Sequence, residues 1–110
     1  MTASNHSALF TRAEEDLLQT LSPRWTMHIL LALHASQNAR RFGEIQEAVS
    51  GISNRVLSSR LADLESSRLV SRTVTATRPV TITYQLTAHG REVAEALTRL
   101  REVAESRLDM

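Results

Sequence analysis

The residues best suited to chemistry lie on one short stretch, GISNRVLSSRLADLE, at positions 51–65. Its leucines recur at spacings of four and three, which is typical of the buried face of an amphipathic helix. The opposite face carries an amide, a guanidinium and two hydroxyls before the first acid is reached: Asn54, Arg55, Ser58 and Ser59. Arginine can bond two acceptors of guanine, asparagine can pair with adenine, and serine suits either base. A solvated helix surface has a similar composition, so the neighbouring elements must decide between the two interpretations.

Other kinds of chemistry find little support in the sequence. His28 and His34 lie six residues apart in a predicted helix, hence on different faces, and His6 and His89 are isolated. The consecutive acids at 14–16 point to different sides of a predicted helix near its N-terminus. Helix capping and the favourable interaction of acids with the helix dipole explain their presence there. There is no cysteine, and no nucleophile elbow, phosphate loop or HExxH motif. We therefore expect no enzymatic activity, no metal site and no cofactor.

The charge distribution favours an anionic partner for the middle of the chain. The 110 residues carry a net charge of +1, but residues 40–91 hold eight arginines against four acids. All thirteen basic residues are arginine, whose planar fork suits phosphate and base edges, although the base composition of a genome can produce the same bias. Candidates for phosphate contacts are Arg40, Arg41, Arg60 and Arg72. Each could instead pair with a nearby glutamate.

Two helices are predicted in the first third of the chain. Thr11 and a glutamate three residues later fit a capping box, so a first helix is expected over 12–21. Ser22 can cap a second helix that begins with Pro23 and runs to about residue 35. This second helix is apolar on nearly every side, which places it at the centre of a domain.

A helix-turn-helix is predicted next. A short strand at 41–42 precedes a helix over 43–49, and Gly51 can then adopt positive φ in a tight turn. Ser53 can cap the following helix, 53–65, which is the stretch described first. Two short helices joined by such a glycine turn are the sequence form of this motif.

A hairpin and a long helix complete the chain. Residues 80–87 alternate strictly between apolar and polar, which predicts a half-buried strand with Val80, Ile82, Tyr84 and Leu86 on its apolar face. A partner strand precedes it, and the hairpin tip falls near Thr77, Arg78 and Pro79. Thr87 can cap a last helix over 88–107.

This order of elements predicts a winged helix-turn-helix, a mainly α fold with a small β-hairpin. We expect one domain over 1–110, with a helix-turn-helix at 43–65, a wing hairpin at 69–87 and helical extensions at both ends. The recognition helix would enter the major groove, and the wing would reach the minor groove or the phosphates. The residues predicted to contact double-stranded operator DNA are Ser53, Asn54, Arg55, Ser58, Ser59, Arg60, Arg41, Thr77 and Arg78.

The terminal helices, 12–21 and 88–107, are predicted to dimerise. Their apolar stripes are broader than one small core can cover. The interface residues predicted from these stripes are Leu17, Leu18, Leu21, Val93, Leu97, Leu100 and Ala104, accompanied by Ala96 and Val103. A two-fold homodimer would present two recognition helices to half-sites about one DNA turn apart.

Two other functions stay open from the residues alone. A winged helix can serve as a protein-interaction module without DNA affinity. Alternatively, a regulator can respond to a small-molecule effector, here near Trp25, Met27 and His28, although plain core packing also explains Trp25. The sequence has no signal peptide and no run of about 18 apolar residues, so we expect a cytoplasmic protein with no membrane contact.

Several segments together resemble the HxlR family of winged-helix transcriptional regulators, relatives of MarR. They are RWTMHILLAL, RRFGEIQEAVSGISNRVLSSRLADLESSRLVSRTV and YQLTAHGREV, and the resemblance covers roughly residues 12–100. It implies a dimeric DNA-binding regulator whose terminal helices dimerise and whose helix at 53–65 lies in the major groove.

The sequence departs from the family pattern at four places. The family's usual cysteine before the tryptophan is Arg12 here, so regulation through cysteine oxidation is excluded. The family's usual Gly-Gly before the basic-Trp pair, here Arg24 and Trp25, is absent. Leu21, Ser22 and Pro23 stand in its place, which predicts a better-defined start of the second helix. The glycine expected before Leu69 is Arg68, and a wing-strand arginine is replaced by Thr81. The recognition helix must therefore end without glycine, and the wing contacts transfer least directly.

Overall fold

Five helices and a small three-stranded antiparallel sheet make up the fold in a computed structural model that describes residues 9–108. His6 and the ends of the predicted domain lie outside the described residues. The order along the chain is α1 (Arg12–Leu21), α2 (Thr26–Ser36), β1 (Arg40–Arg41), α3 (Phe42–Ala48), α4 (Asn54–Ser66), β2 (Val70–Thr75), β3 (Thr81–Leu86) and α5 (Ala88–Leu108). This is the order of a winged helix-turn-helix, and the predicted fold class is confirmed.

The start of α1 follows the sequence prediction. The backbone N–H of Glu14 donates to Thr11 Oγ1 at 3.1 Å, and the Thr11 N–H donates to Glu14 Oε1 at 3.1 Å. This reciprocal capping box satisfies two amides that the helix itself cannot. None of the ten residues of α1 is fully buried.

The predicted start of α2 at Pro23 is wrong. Ser22 ends α1 instead of capping α2, because its N–H and hydroxyl both donate to the Gln19 carbonyl. Pro23 then lies in a turn closed by the Thr26 N–H, and Trp25 takes a left-handed backbone conformation with φ of 81°. The helix itself begins at Thr26. From there α2 runs through the centre of the core, as its all-round apolar character predicts, and it buries Ile29, Leu30 and Leu33.

The helix-turn-helix forms from α3 and α4 with small shifts of the predicted bounds. Gly51 adopts φ of 99°, and Ser53 Oγ accepts the Val56 N–H at 3.1 Å as the N-cap of α4. The far end of α4 closes through Arg68, which itself takes the left-handed conformation with φ of 61°. The Leu69 N–H reaches the Leu64 carbonyl at 3.0 Å, which is the long bond of a Schellman motif. Arg68 thus occupies a positive-φ position at which glycine is the preferred residue.

The sheet has the order β1-β3-β2 and is antiparallel throughout. Arg40 of β1 lies opposite Tyr84 of β3, and Arg72 of β2 lies opposite the same tyrosine from the other side. The short strand is therefore Arg40–Arg41, one residue earlier than predicted.

The apolar face predicted for the second wing strand is only partly buried. Leu86 lies in the core and Tyr84 is half-buried, but Ile82 is 36% exposed and Val80 is 64% exposed. The reason is that the hairpin extends beyond the helices that cover its base. Val74, which pairs with Ile82 across the hairpin, is exposed as well.

The base of α5 is fixed against the end of α4 through Thr87. Its hydroxyl donates to the Arg68 carbonyl at 2.7 Å and accepts the Gly90 N–H at 2.9 Å, so the predicted cap is present. A Cβ added to Gly90 would lie 1.9 Å from the Leu69 carbonyl oxygen, so only glycine fits at this contact. This contact holds the first turn of α5 against the start of the wing.

Candidate nucleic-acid interface

The outer face of α4 presents the predicted base-reading residues to solvent. The helix is held down by Leu57, Leu61 and Leu64, all buried. The side chains on the other face are exposed and form no hydrogen bond or ion pair with the rest of residues 9–108: Asn54, Arg55, Ser58 and Ser59. Their donors and acceptors are therefore free for an external partner, which is what base recognition requires.

Ser53 has a structural task at the start of this helix. Its hydroxyl oxygen accepts the Val56 N–H, and its carbonyl accepts the Leu57 N–H at 2.9 Å. The preceding turn is tied to α3, because the Gln46 side-chain amide donates to the Ile52 carbonyl at 3.4 Å. These bonds fix the first turn of α4, where a recognition helix contacts DNA.

Arg60 is committed to an internal contact. Its Nε donates to the Arg24 carbonyl at 2.7 Å, and the residue is half-buried. The glutamate pairing considered for Arg60 is therefore replaced by a backbone contact that joins α4 to the turn before α2. This bond uses Nε and leaves the terminal guanidinium nitrogens of Arg60 free.

Two arginines of β1 stand at the start of α3 in different environments. Arg40 lies 3.9 Å from Glu44, whereas the Arg41 side chain is exposed and belongs to no ion pair formed within the described chain. The Arg41 N–H donates to Glu44 Oε1 at 2.9 Å, so the same glutamate caps α3. Arg41 is thus the more exposed of the two and is not paired with Glu44 through its side chain. The exposed Arg72 on β2 is a further cation on this sheet.

The tip of the wing is exposed and is held by its own threonines. The Thr77 hydroxyl donates to the Pro79 carbonyl at 3.0 Å, and the Thr81 hydroxyl donates to the same oxygen at 3.4 Å. Arg78 lies between them with an exposed side chain. Thr77 therefore shapes the tip, and Arg78 is the residue that it presents.

The structure separates the residues predicted for the dimer interface into three groups. Val93 and Leu97 are 7% and 8% exposed and belong to the chain's own core, so their side chains cannot form an intersubunit surface. Leu17 and Leu21 are half-buried against that core. The remaining residues project outward, namely Leu18, Leu100 and Ala104, together with Val103. The buried residues of α5 all lie in its first half, and the apolar residues of its second half are exposed.

One contact that supports α4 was not predicted from the sequence. The turn before α2 supports α4 through the Arg24 carbonyl, and the Arg24 guanidinium lies 4.7 Å from the Trp25 ring centre. Trp25, which follows Arg24, has a left-handed backbone conformation, and a tryptophan gives no signal of positive φ in a sequence. Only the resemblance of the basic-Trp pair pointed to this place.

Two features of the described residues bear on other functions. Within residues 9–108 no helix has both the length and the apolar character needed to cross a bilayer. The same part of the chain contains no group of three or more histidine or acidic side chains arranged to hold a metal ion.

Comparison with known proteins points to one family. The sequence profile described as HxlR-like helix-turn-helix matches residues 20–110, most of the chain. The HTH-type transcriptional regulator YvaP of Bacillus subtilis is 36% identical over 105 residues, which cover 96% of this chain and 94% of YvaP.

Solved structures agree with this match. The reduced form of the transcriptional regulator YodB from Bacillus subtilis superposes with a TM-score of 0.76 at 29% identity, covering 87% of this chain and 92% of YodB. A possible HxlR family transcriptional factor from Thermoplasma volcanium gives a TM-score of 0.73 at 33% identity, covering 84% of this chain and 81% of that one. The resemblance predicted from the sequence is confirmed.

Proposed function

The chain belongs to the HxlR-like helix-turn-helix family of transcriptional regulators, and we propose that it binds operator DNA as a homodimer through α4 and the wing. The family and the relatives are regulators rather than enzymes, and a helix-turn-helix regulator acts by binding DNA. The finer assignments that follow, including action in the cytoplasm, are part of the proposal.

The exposed face of α4 is the observation that carries this proposal. Its four polar side chains have no partner in the described chain, on a helix otherwise fixed by buried leucines and by the Ser53 cap. Asn54 and Arg55 occupy its first turn, where contact with base edges is usual. Asp63 and Glu65 follow two turns later and would repel phosphate, so the contact is confined to the first half of the helix.

Phosphate contacts are proposed for Arg41 and Arg78, with Arg60 contributing only its free nitrogens. Arg41 is exposed at the start of α3, and Arg78 is exposed at the wing tip. These contacts would supply most of the affinity and make it dependent on salt concentration. Thr77 holds the tip and need not touch DNA itself.

Dimerisation is proposed through α1 and the outer half of α5. The described α1 has no fully buried residue, and Leu18 is 51% exposed. On α5, Leu100 is 59% exposed and Val103 is 45% exposed. Such exposed apolar side chains on two helices of a small domain favour burial against a second copy. Val93 and Leu97 contribute only by supporting the helix from within.

The proposal is tested by selecting bound duplexes from a random DNA pool and titrating the best one at several salt concentrations. Affinity should fall linearly with salt on a log–log scale. Arg55→Ala should weaken binding by about 1–3 kcal/mol and relax the preference at one base pair.

Arg99→Ala is the matched control, because it removes the same charge from an exposed site on α5, where Arg99 pairs with Glu102 at 3.3 Å. It should retain the base preference. An unchanged preference in Arg55→Ala would remove that residue from recognition. Binding that is absent or independent of salt would instead support a protein-interaction module.

A further inference from the structure

Arg24, in the turn between α1 and α2, is an exposed cation outside the helix-turn-helix. Its side chain forms no ion pair with any carboxylate between residues 9 and 108. Two acids, Asp16 and Asp63, line a cleft together with the neighbouring Pro23. The Arg24 guanidinium lies over the Trp25 ring instead, 4.7 Å from its centre. The charge of Arg24 is therefore available to an anionic partner.

The Trp25 ring brings this charge next to the helix-turn-helix. The same indole lies against the turn before α4, since a Cβ placed on Gly51 would be 3.5 Å from Trp25 Cη2. Stacking on an aromatic face restricts the positions that a guanidinium samples. Less conformational entropy is then lost when the guanidinium binds a ligand.

The backbone of Arg24 is joined to one flank of α4. Arg60 Nε donates to the Arg24 carbonyl at 2.7 Å. Arg60 is half-buried and lies between the buried leucines of α4 and its exposed face, one turn after the half-buried Val56. Arg24 thus stands beside a flank of α4 and not in front of the face that carries Asn54 and Arg55.

The dimensions of DNA decide what such a flank would meet. The major groove is about 12 Å wide, and an α-helix with its side chains is about 10–12 Å across. A helix in the groove therefore fills it, so cations beside its flanks meet phosphate oxygens and not base edges. Arginine suits a phosphate because two of its N–H groups can bond two oxygens at once.

We propose that Arg24 binds a phosphate of the DNA backbone beside the major groove that receives α4, with Trp25 holding its guanidinium in position. The terminal nitrogens of Arg60, which the bond to the Arg24 carbonyl leaves free, belong to the same flank. This inference rests on the proposed DNA-binding function. It adds a contact that contributes affinity and orientation and reads no bases.

The contact is measured with the full chain and the duplex selected from the random pool, titrated at several salt concentrations. Arg24→Gln removes the charge and keeps the backbone carbonyl that Arg60 binds. Loss of one phosphate contact should lower the log–log salt slope by about 0.9, or by about 2 for a dimer. Near 0.15 M salt the affinity should fall about fivefold for each contact, hence about 30-fold for a dimer. The base preference should not change, because a phosphate contact carries no sequence information directly.

Three further variants separate a phosphate contact from a structural role or a general charge effect. Arg24→Lys keeps the charge and should restore most of the salt slope. Arg24→Met keeps an unbranched stem over the Trp25 ring and should have the slope of Arg24→Gln, provided that both retain the parent's thermal midpoint. Arg99→Gln removes the same charge from an exposed ion pair on α5 and should change the slope by less than half as much. Weaker binding of both neutral variants with the parent's slope would overturn the proposal, as would equal slopes in Arg24→Gln and Arg99→Gln.

Replacement of single phosphates by uncharged methylphosphonates identifies the partner of Arg24. At one position in each half-site the replacement should weaken binding of the parent about fivefold. The same replacement should weaken Arg24→Gln less than twofold, because two changes that remove one contact are not additive. Equal losses in both proteins at every position would overturn the contact.

The outcomes for the parent protein distinguish this inference from the function on which it rests. A parent that binds no duplex in a salt-dependent manner would refute the proposed function and this contact with it. A parent that binds with the expected salt dependence, alongside an Arg24→Gln protein with the same slope and affinity, would refute the Arg24 contact alone.

Discussion

Replacement of Gly90 by alanine should destabilise the protein, although alanine is the better helix former. The new Cβ would lie 1.9 Å from the Leu69 carbonyl oxygen and 2.8 Å from its carbon, both of them backbone atoms. The first turn of α5 must therefore move by roughly 1 Å to restore van der Waals contact. The same Leu69 oxygen accepts the Thr87 N–H at 3.0 Å, so the movement also strains the bond that joins the wing to α5.

The expected magnitude follows from three contributions. Overpacking costs about 1–3 kcal/mol, and loss of the backbone hydrogen bond costs about 1 kcal/mol. The higher helix propensity of alanine offsets about 1 kcal/mol of this destabilisation. The free energy of unfolding should therefore fall by about 1–3 kcal/mol. For a domain of this size that corresponds to a midpoint lower by roughly 5–20 °C.

Thermal unfolding followed by circular dichroism measures this change, at one fixed protein concentration because a dimer's midpoint depends on concentration. Gly43→Ala is the matched control, since a Cβ at Gly43 in α3 would meet no heavy atom within 4 Å. It should be neutral or more stable by up to about 1 kcal/mol. A Gly90→Ala protein as stable as the parent would refute the close contact between α5 and Leu69.

Three further predictions concern stability, assembly and redox response. Arg68→Gly should raise the free energy of unfolding by about 0.5–1 kcal/mol, because Arg68 ends α4 with φ of 61°; a lower midpoint in thermal unfolding would contradict this. Leu100→Glu should shift the protein from dimer to monomer in size-exclusion chromatography and weaken operator binding at least tenfold. Ser106→Glu adds the same charge elsewhere on α5 and should remain dimeric, so dissociation of both variants would count against the proposed interface. Diamide should leave DNA affinity unchanged, since the chain has no cysteine; a loss of binding in an electrophoretic mobility shift would refute cysteine-free regulation.

The helix-turn-helix was predicted from residue preferences that act over a few positions of the sequence. Ser53 was predicted as the cap and Gly51 as the positive-φ turn residue because both preferences depend on the residue's own chemistry and its immediate neighbours. The leucine spacing of α4 assigned one face to the core and left the polar face outside, as the structure has it. For these reasons the fold class and the exposed α4 face were available from the sequence.

The residues proposed for the dimer interface show what such local preferences do not predict. Leu97 and Leu100 lie on the same apolar stripe of α5, yet one is buried in its own chain and the other is 59% exposed. Periodicity identifies a face but not the length over which a neighbouring element covers it. The same reason explains the wing, where the alternation of β3 continues past the edge of the core and leaves Val80 and Ile82 exposed.

The element types, the helix-turn-helix and the candidate base-reading residues follow from the sequence alone, because capping, turn chemistry and periodicity act within a few residues. The tertiary structure decided where α2 begins, since Ser22 bonds back to α1 and Trp25 turns left-handed beside Gly51. It also decided that Arg60 binds the Arg24 carbonyl, a contact across 36 residues of sequence. Contacts of this kind depend on which distant atoms the fold brings together, and no local preference encodes them.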